Sequence, residues 1–418
     1  MRKLRLSVLI FLLLLAHAAL AAQIHDLKPT VILISIDGFR YDYFGKAKTP
    51  NLDRLIARGV RAQYMIPSFP TKTFPNHYTI ATGLYPAHSG IVGNSMWDDQ
   101  LHATFKMSDR QQVQDARWWG GEPIWVTVEK AGQKTAAFYW PGSEAAIEGV
   151  RPTYWEPWDE KHRTSREYRV SKVLSWLDLP PADRPTFLTL YFEDVDEAGH
   201  HEGPDSPQLA EAMERVDTAI GLLLRGLQSR GILNQVNILV VSDHGMAACS
   251  RDRRVYLDDY LDLSNVIQVD GSPVLAIKAK DGNHAALLEK LKRVPHMTAY
   301  TPDTIPARLH FSGNPRITPV IGVADVGWTI TSHQYVARHP DKKYGGDHGY
   351  DNAAPEMRAI FLAAGPAFRA HQVLPPFPNV DVYSLLAYLL HVSPAKNDGD
   401  MKVFQSVLRH AKAAAPAR

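Results

Sequence analysis

Val31-Ile32-Leu33-Ile34-Ser35-Ile36-Asp37-Gly38 is an unbroken apolar, largely β-branched run that ends on a carboxylate and a glycine. Such a run predicts a strand buried on both faces, as in a parallel sheet. Two more segments read the same way. Phe187–Phe192 is followed at once by Glu193, Asp194 and Asp196, and residues 238–242 by Asp243-His244-Gly245. Open α/β sheets gather their ligand sites beyond the carboxyl ends of the strands. One acid beside a glycine is an ordinary turn. Three acids behind three buried strands predict a shared site.

The histidines follow the same plan. Asp196 and His200 stand in D-x-x-x-H spacing, His244 follows Asp243, and His348 sits on the glycine-rich loop Tyr344-Gly345-Gly346-Asp347-His348-Gly349-Tyr350. Carboxylates and imidazoles without thiolates suit zinc in an exported chain, and the set is large enough for two Zn2+ ions.

The stretch Pro70-Thr71-Lys72-Thr73-Phe74-Pro75-Asn76-His77 supplies a nucleophile. Proline favours the first helical position, so a helix over 76–84 is expected to start at Pro75, with the Thr73 hydroxyl at its N-terminus. A lone threonine there is an ordinary cap and a poor nucleophile. Bound to zinc, its hydroxyl pKa would fall, and a second zinc about 4 Å away could stabilise a leaving oxygen. Asn94, on the tight turn after Gly93, offers an uncharged donor, although such a residue often satisfies only its own turn.

The 418 residues, 45% hydrophobic and 22% charged, have ordinary globular composition and enough chain for a large core. No internal repeat or low-complexity segment appears. Residues 1–21 read as a signal peptide: Arg2, Lys3 and Arg5 precede an apolar run over 6–15, and Ala19-Leu20-Ala21 offers a cleavage site. Cleavage would take the formal charge from +2 to −1 by removing three cations, so no nucleic-acid surface is indicated. No later segment is long and apolar enough to span a membrane. One cysteine, Cys249, cannot form an internal disulfide, which suits a periplasmic or secreted bacterial protein. Residues 22–418 are expected to form a single catalytic domain, with a smaller α/β lobe inserted at about 251–331. The alanine-rich tail from Ala411 reads as disordered.

The segments I-S-I-D-G-F-R, P-T-K-T-F-P-N-H-Y, T-G-L-Y-P, G-E-P-I-W, W-P-G-S, D-x-x-x-H, S-D-H-G-M and D-H-G-Y-D-N together resemble the nucleotide pyrophosphatase/phosphodiesterase family of the alkaline phosphatase superfamily. The resemblance runs in family order from about residue 31 to 390. It implies an alkaline phosphatase-like α/β/α sandwich with a mainly parallel central sheet. It also implies one zinc on Asp37, Thr73, Asp243 and His244, and another on Asp196, His200 and His348; His201 is set aside by the family's spacing. Thr73 would attack phosphorus to give a nucleotidyl-threonine, which water activated at the second zinc would hydrolyse. The N–H of Phe74 and the side chain of Asn94 would hold a non-bridging oxygen, and Phe74, Tyr154 and Tyr191 would flank a nucleobase. Lys72 matches the family without an assigned role.

These readings predict a hydrolase of nucleotides and nucleotide diesters that releases nucleoside 5′-monophosphates. No arginine flanks Thr73 to match the extra charge of a monoester, and a neutral Asn94 suits a diester. A sulfatase would need C/S-x-P-x-R, which Thr73-Phe74-Pro75-Asn76-His77 lacks. Two rivals share the metal residues: a phospholipid- or choline-directed phosphodiesterase of the same family, and a non-catalytic secreted metal-binding protein.

Overall fold

A computed structural model describes residues 23–409. The leader over 1–21 and the tail from Ala411 lie outside these residues. Eight strands form the main sheet: β1 (Thr30–Ile36), β2 (Val60–Ala62), β3 (Thr135–Phe138), β4 (Tyr154–Glu156), β5 (Phe187–Phe192), β6 (Val236–Val241), β7 (Phe361–Ala364) and β8 (Gln372–Leu374). They lie side by side as β8-β2-β7-β6-β1-β5-β3-β4. All neighbours pair in parallel except β7, which runs against β2 and β6.

Every residue of β1 is buried. Val31 and Leu33 face one hydrophobic core, and Ile32, Ile34 and Ile36 face another. That two-residue alternation explains why the run is apolar throughout. Helices α1 (Pro50–Arg58), α3 (Arg166–Leu177) and α5 (Pro207–Ser229) cover the face of Ile32 and Ile34. Helices α2 (Thr73–Thr82) and α6 (Asp381–Leu389) cover the opposite face, completing an α/β/α sandwich. Helix α4 (Asp194–Glu202) follows β5 directly and packs on α5.

Register sets the site. Ile36 is level with Phe192 and Ser35 with Val241, so Asp37, the start of α4 and Asp243 leave the sheet along one edge. In the chain between β6 and β7 lies a four-stranded antiparallel sheet, Val266–Asp270, Val274–Ala279, Val320–Ala324 and Met297–Tyr300, with a helix at His284–Leu291 and a hydrophobic core of its own.

Several boundaries depart from expectation: α2 ends at Thr82, short of residue 84, because Gly83 turns into the left-handed region. Helix α2 begins at Thr73, not at Pro75, with Lys72 as its extended N-cap. The first-turn N–H groups have no intrahelical partner, so proline is as acceptable two residues further in as at the first position. Residues 357–364 read in sequence as a last core strand; the strand starts only at Phe361, after a 3₁₀ turn over Pro355–Met357.

Helix α1 ends at Gly59, where β7 comes so close that an added Cβ would lie 2.0 Å from the carbonyl oxygen of Ala363. Gly59→Ala is therefore expected to destabilise the fold by about 2–4 kcal/mol through forced backbone displacement, measured by urea denaturation.

Candidate active site

The structure brings Asp37, Thr73, Asp196, His200, Asp243, His244 and His348 to one place at the sheet edge. Asp37, Asp243 and His244 form one cluster whose ligand atoms lie within 4.8 Å of each other. His244 Nε2 is 2.9 Å from Asp243 Oδ2, 3.4 Å from Asp37 Oδ1 and 3.4 Å from Thr73 Oγ1. Beside it, Asp196 lies 3.5 Å from His200 Nε2 and 3.6 Å from His348 Nε2. Asp196 and His200 are one turn apart on α4, so the D-x-x-x-H spacing works by placing both on one helix face. The rings of His244 and His348 stack at 3.4 Å and join the two clusters.

Two observations show that the donors fit a divalent metal. All three imidazoles have Nδ1 on a backbone carbonyl: His200 on Gly346 at 3.0 Å, His244 on Gly245 at 2.9 Å and His348 on Thr71 at 2.8 Å. A carbonyl only accepts, so Nδ1 carries the proton and each Nε2 lone pair faces inward, as metal-binding histidines are held. In addition, Asp37 Oδ1, Asp196 Oδ1 and Asp243 Oδ2 are buried without a hydrogen-bond donor. Orphaned carboxylate oxygens are costly and call for a cation.

Without a metal, the charges of the site pull against one another. Burial, with Asp243 and Asp196 alongside, holds the Asp37 carboxyl well above its usual range. Burial pushes Asp243 the same way, but His244 and His77 outweigh it and leave that carboxyl well below. Burial, with His244 and His200 nearby, keeps His348 neutral far below the usual imidazole pKa.

Several residues that the sequence reading left out belong to this site. His77, one turn beyond Thr73, is fully buried; its Nδ1 donates to the Thr73 carbonyl at 2.9 Å and lies 3.3 Å from Asp243 Oδ2. Asn76 Nδ2 donates to the carbonyls of Pro70 and Lys72, at 3.0 and 2.9 Å, and so holds the loop before Thr73. Asp347, beside His348, groups with His200 and His348. The position of His77 within the quoted threonine stretch was the one available signal for it.

On the Thr73 side lies a chamber of about 210 Å³ with Phe74, Tyr139, Trp140, Trp158 and Tyr191 in its wall. Trp158 and Tyr191 meet edge to face at 5.8 Å, and the Tyr191 hydroxyl donates to Asp37 Oδ2 at 2.7 Å. Tyr154 is not in this wall. Its hydroxyl donates to the Asp183 carbonyl at 3.1 Å and its ring stacks on Trp176. Tyr154 pairs with Ala136, two positions short of the end of β3, so it sits too far back along the sheet. Trp158, four residues later, reaches the chamber instead. Arg110 and Arg163 also line it, but each is paired, Arg110 with Glu144 and Arg163 with Glu160 and Glu197. Asn94 Oδ1 accepts from the Phe74 N–H at 3.0 Å, which leaves its amino group as the donor still free among the described residues. A groove of about 1130 Å³ opens on the His200 and Asp347 side, and the exposed His201 lies in its wall.

The model of the type I phosphodiesterase / nucleotide pyrophosphatase family matches residues 31–351. Mouse ectonucleotide pyrophosphatase/phosphodiesterase family member 3 is 41% identical over 383 residues, covering 89% of this chain but 43% of that protein. The chain thus spans less than half the length of that relative. Human family member 5 is 38% identical over 384 residues, covering 91% of this chain and 78% of that protein. The solved structure of murine member 5 superposes with a TM-score of 0.86 at 38% identity, covering 91% of this chain and 100% of that one. An inactive threonine-to-alanine variant of that protein, in complex with AMP, matches equally well, with a TM-score of 0.86. Fold and site together define an alkaline phosphatase-like protein with carboxylate and imidazole donors at the carboxyl edge of its sheet. Within that class, the chain belongs to the type I phosphodiesterase / nucleotide pyrophosphatase family of hydrolases. Among the described residues, no helix is long and apolar enough to cross a membrane.

Proposed function

We propose that the protein is an exported, zinc-dependent hydrolase of nucleotide pyrophosphates and phosphodiesters that works through a covalent threonine intermediate. The observation that carries this is the convergence of three unpartnered carboxylate oxygens and three inward-facing Nε2 atoms beside Thr73. Asp37, Thr73, Asp243 and His244 would hold one zinc, and Asp196, His200 and His348 the other. Bound there, zinc would acidify the Thr73 hydroxyl and offset the negative charge that gathers at phosphorus.

Thr73 Oγ1 attacks phosphorus, forming one P–O bond as the bond to the leaving group breaks on the opposite side. Water then cleaves the threonyl phosphodiester, regenerating the hydroxyl and releasing a nucleoside 5′-monophosphate. Asn94 donates to a non-bridging oxygen; the Phe74 N–H, expected to do the same, is given to Asn94 Oδ1 and acts by fixing that side chain, while the start of α2 at Thr73 adds the field of its N-terminus. The groove beyond His200 leaves room for the departing portion. The AMP complex of the murine relative, inactive without its threonine, supports this assignment of roles.

The chamber favours a nucleotide over a choline ester. Phe74, Trp158 and Tyr191 offer stacking faces, and the Arg110–Glu144 pair presents both a donor and an acceptor to a base edge. A quaternary ammonium would gain the aromatic faces too, but it has no polar edge to use the donor and acceptor of the Arg110–Glu144 pair. With both arginines committed to carboxylates, a singly charged diester fits better than a monoester.

Bis-nitrophenyl phosphate is accordingly expected to be cleaved at least about 100-fold faster, by kcat/KM, than the mono-nitrophenyl ester. The nitrophenyl ester of thymidine 5′-monophosphate should surpass nitrophenyl phosphorylcholine in the same assay. Preference for the monoester would reverse the charge argument, and preference for the choline ester would reverse the base assignment.

A further inference from the structure

Lys72 stands next to the nucleophile, yet the mechanism gives it no role. Its side chain is 6% exposed and its Nζ donates to Asp270 Oδ2 at 2.7 Å, 198 residues away and on the inserted lobe. Asp270 ends the lobe strand Val266–Asp270 at a register irregularity, and its other oxygen accepts from the Gly271 N–H at 2.8 Å. A lysine closed off in this way has no free charge to offer a phosphate.

The surroundings of the pair show what it holds. On one side of Lys72, the Thr71 carbonyl accepts from His348 Nδ1 at 2.8 Å, and the Thr71 hydroxyl accepts from the Gly349 N–H at 2.9 Å. On the other side stands Thr73. Three consecutive residues therefore orient a ligand of one metal cluster, anchor to the lobe, and present the nucleophile at the other cluster. The loops on either flank leave no slack. A Cβ on Gly349 would lie 3.3 Å from Lys72 Cε, and one on Gly93 would lie 3.0 Å from Asp270 Oδ2. Gly93 precedes Asn94, which accepts from the Phe74 N–H. The nucleophile loop, the Asn94 turn and the His348 loop all close on this single ion pair.

From this geometry we infer that Lys72 and Asp270 are positioning residues: the inserted lobe sets the distance between Thr73 and His348 through their ion pair. The inference rests on the hydrolase reading above. Displacing a reacting group by about 1 Å costs on the order of 100-fold in rate, whereas substrate affinity depends on the aromatic chamber, which the pair does not touch.

The test is a double-mutant cycle on the zinc-loaded protein with bis-nitrophenyl phosphate, using Lys72→Met, Asp270→Asn and both together. Each single variant is expected to lose about 10- to 100-fold in kcat, with KM within about two-fold and zinc content unchanged. The double variant should lose no more than the worse single one, because both break the same contact. Unchanged kcat in the singles, additive losses, or activity falling in proportion to zinc or to folded protein would each overturn the inference. A wild-type protein that fails to cleave the diester would overturn the hydrolase reading, and this inference with it. Cleavage by wild type with unaffected variants would overturn the inference alone.

Discussion

Thr73→Ala should lower kcat for a nitrophenyl phosphodiester by at least about 10³-fold and leave a folded protein with its metal content intact. The expectation follows from what else is within reach. Among the described residues lining the chamber, Thr73 is the single serine or threonine. Of the tyrosine hydroxyls in the wall, that of Tyr191 already donates to Asp37 and is held above its usual pKa by burial and by that carboxylate, and that of Tyr139 is bonded to the Thr164 hydroxyl. Nothing nearby can replace the lost nucleophile. The structural cost is small for equally local reasons. Among the described residues, the one hydrogen-bonding approach of Thr73 Oγ1 is a long 3.4 Å to His244, and the N-cap of α2 is Lys72. Alanine in the first turn, moreover, is a better helix former than threonine. Thr73→Ser, which keeps a hydroxyl on the same carbon, should retain activity within about ten-fold. Thermal unfolding and metal analysis of each variant separate lost chemistry from lost structure. Thr73→Ala activity within about ten-fold of wild type would remove the residue from the mechanism.

Legibility in the sequence followed the range of the forces involved. Strands β1, β5 and β6 could be read because burial on both faces writes an unbroken apolar run. Parallel pairing then puts whatever follows each run on a common edge, so Asp37, Asp196 and Asp243 could be grouped without knowing the strand order. The direction of β7 could not be read, since an apolar run looks the same in either sense. The start of α2 was misplaced by two residues because proline is tolerated anywhere in a first helical turn. Tyr154 and Trp158 share one aromatic, irregular segment, and a difference of four residues decides which of them clears the sheet edge. That depth is fixed by the pairing of β4 with β3, a tertiary fact. The role of Lys72 was hidden for the same reason, because its partner Asp270 sits in a lobe whose docking leaves no mark on local sequence. Arg110 and Glu144 meet only after the chain has folded.

Chelation should abolish activity, by about 10³-fold or more, and also lower the melting temperature by about 10 °C or more, with zinc restoring both. Loss of activity alone would fit any metal-assisted hydrolase. The stability arm is particular to this site. Asp37 and Asp243 are each no more than 1% exposed, Asp196 stands beside them, and no arginine or lysine among the described residues pairs with any of the three. Their orphaned oxygens are desolvated in the folded protein and fully hydrated in the unfolded chain, so folding without a cation sets charge against charge. The raised Asp37 carboxyl expresses that conflict in the metal-free state. A cation that binds the folded form and not the unfolded one adds about 4 kcal/mol at a thousand-fold excess over its Kd. Two such ions would account for the expected shift. Calorimetric titration of zinc into the chelated protein tests the stoichiometry, with two equivalents expected. A chelated protein that melts unchanged and takes up no zinc would show that these carboxylates are satisfied in another way, and the hydrolase reading would lose its foundation.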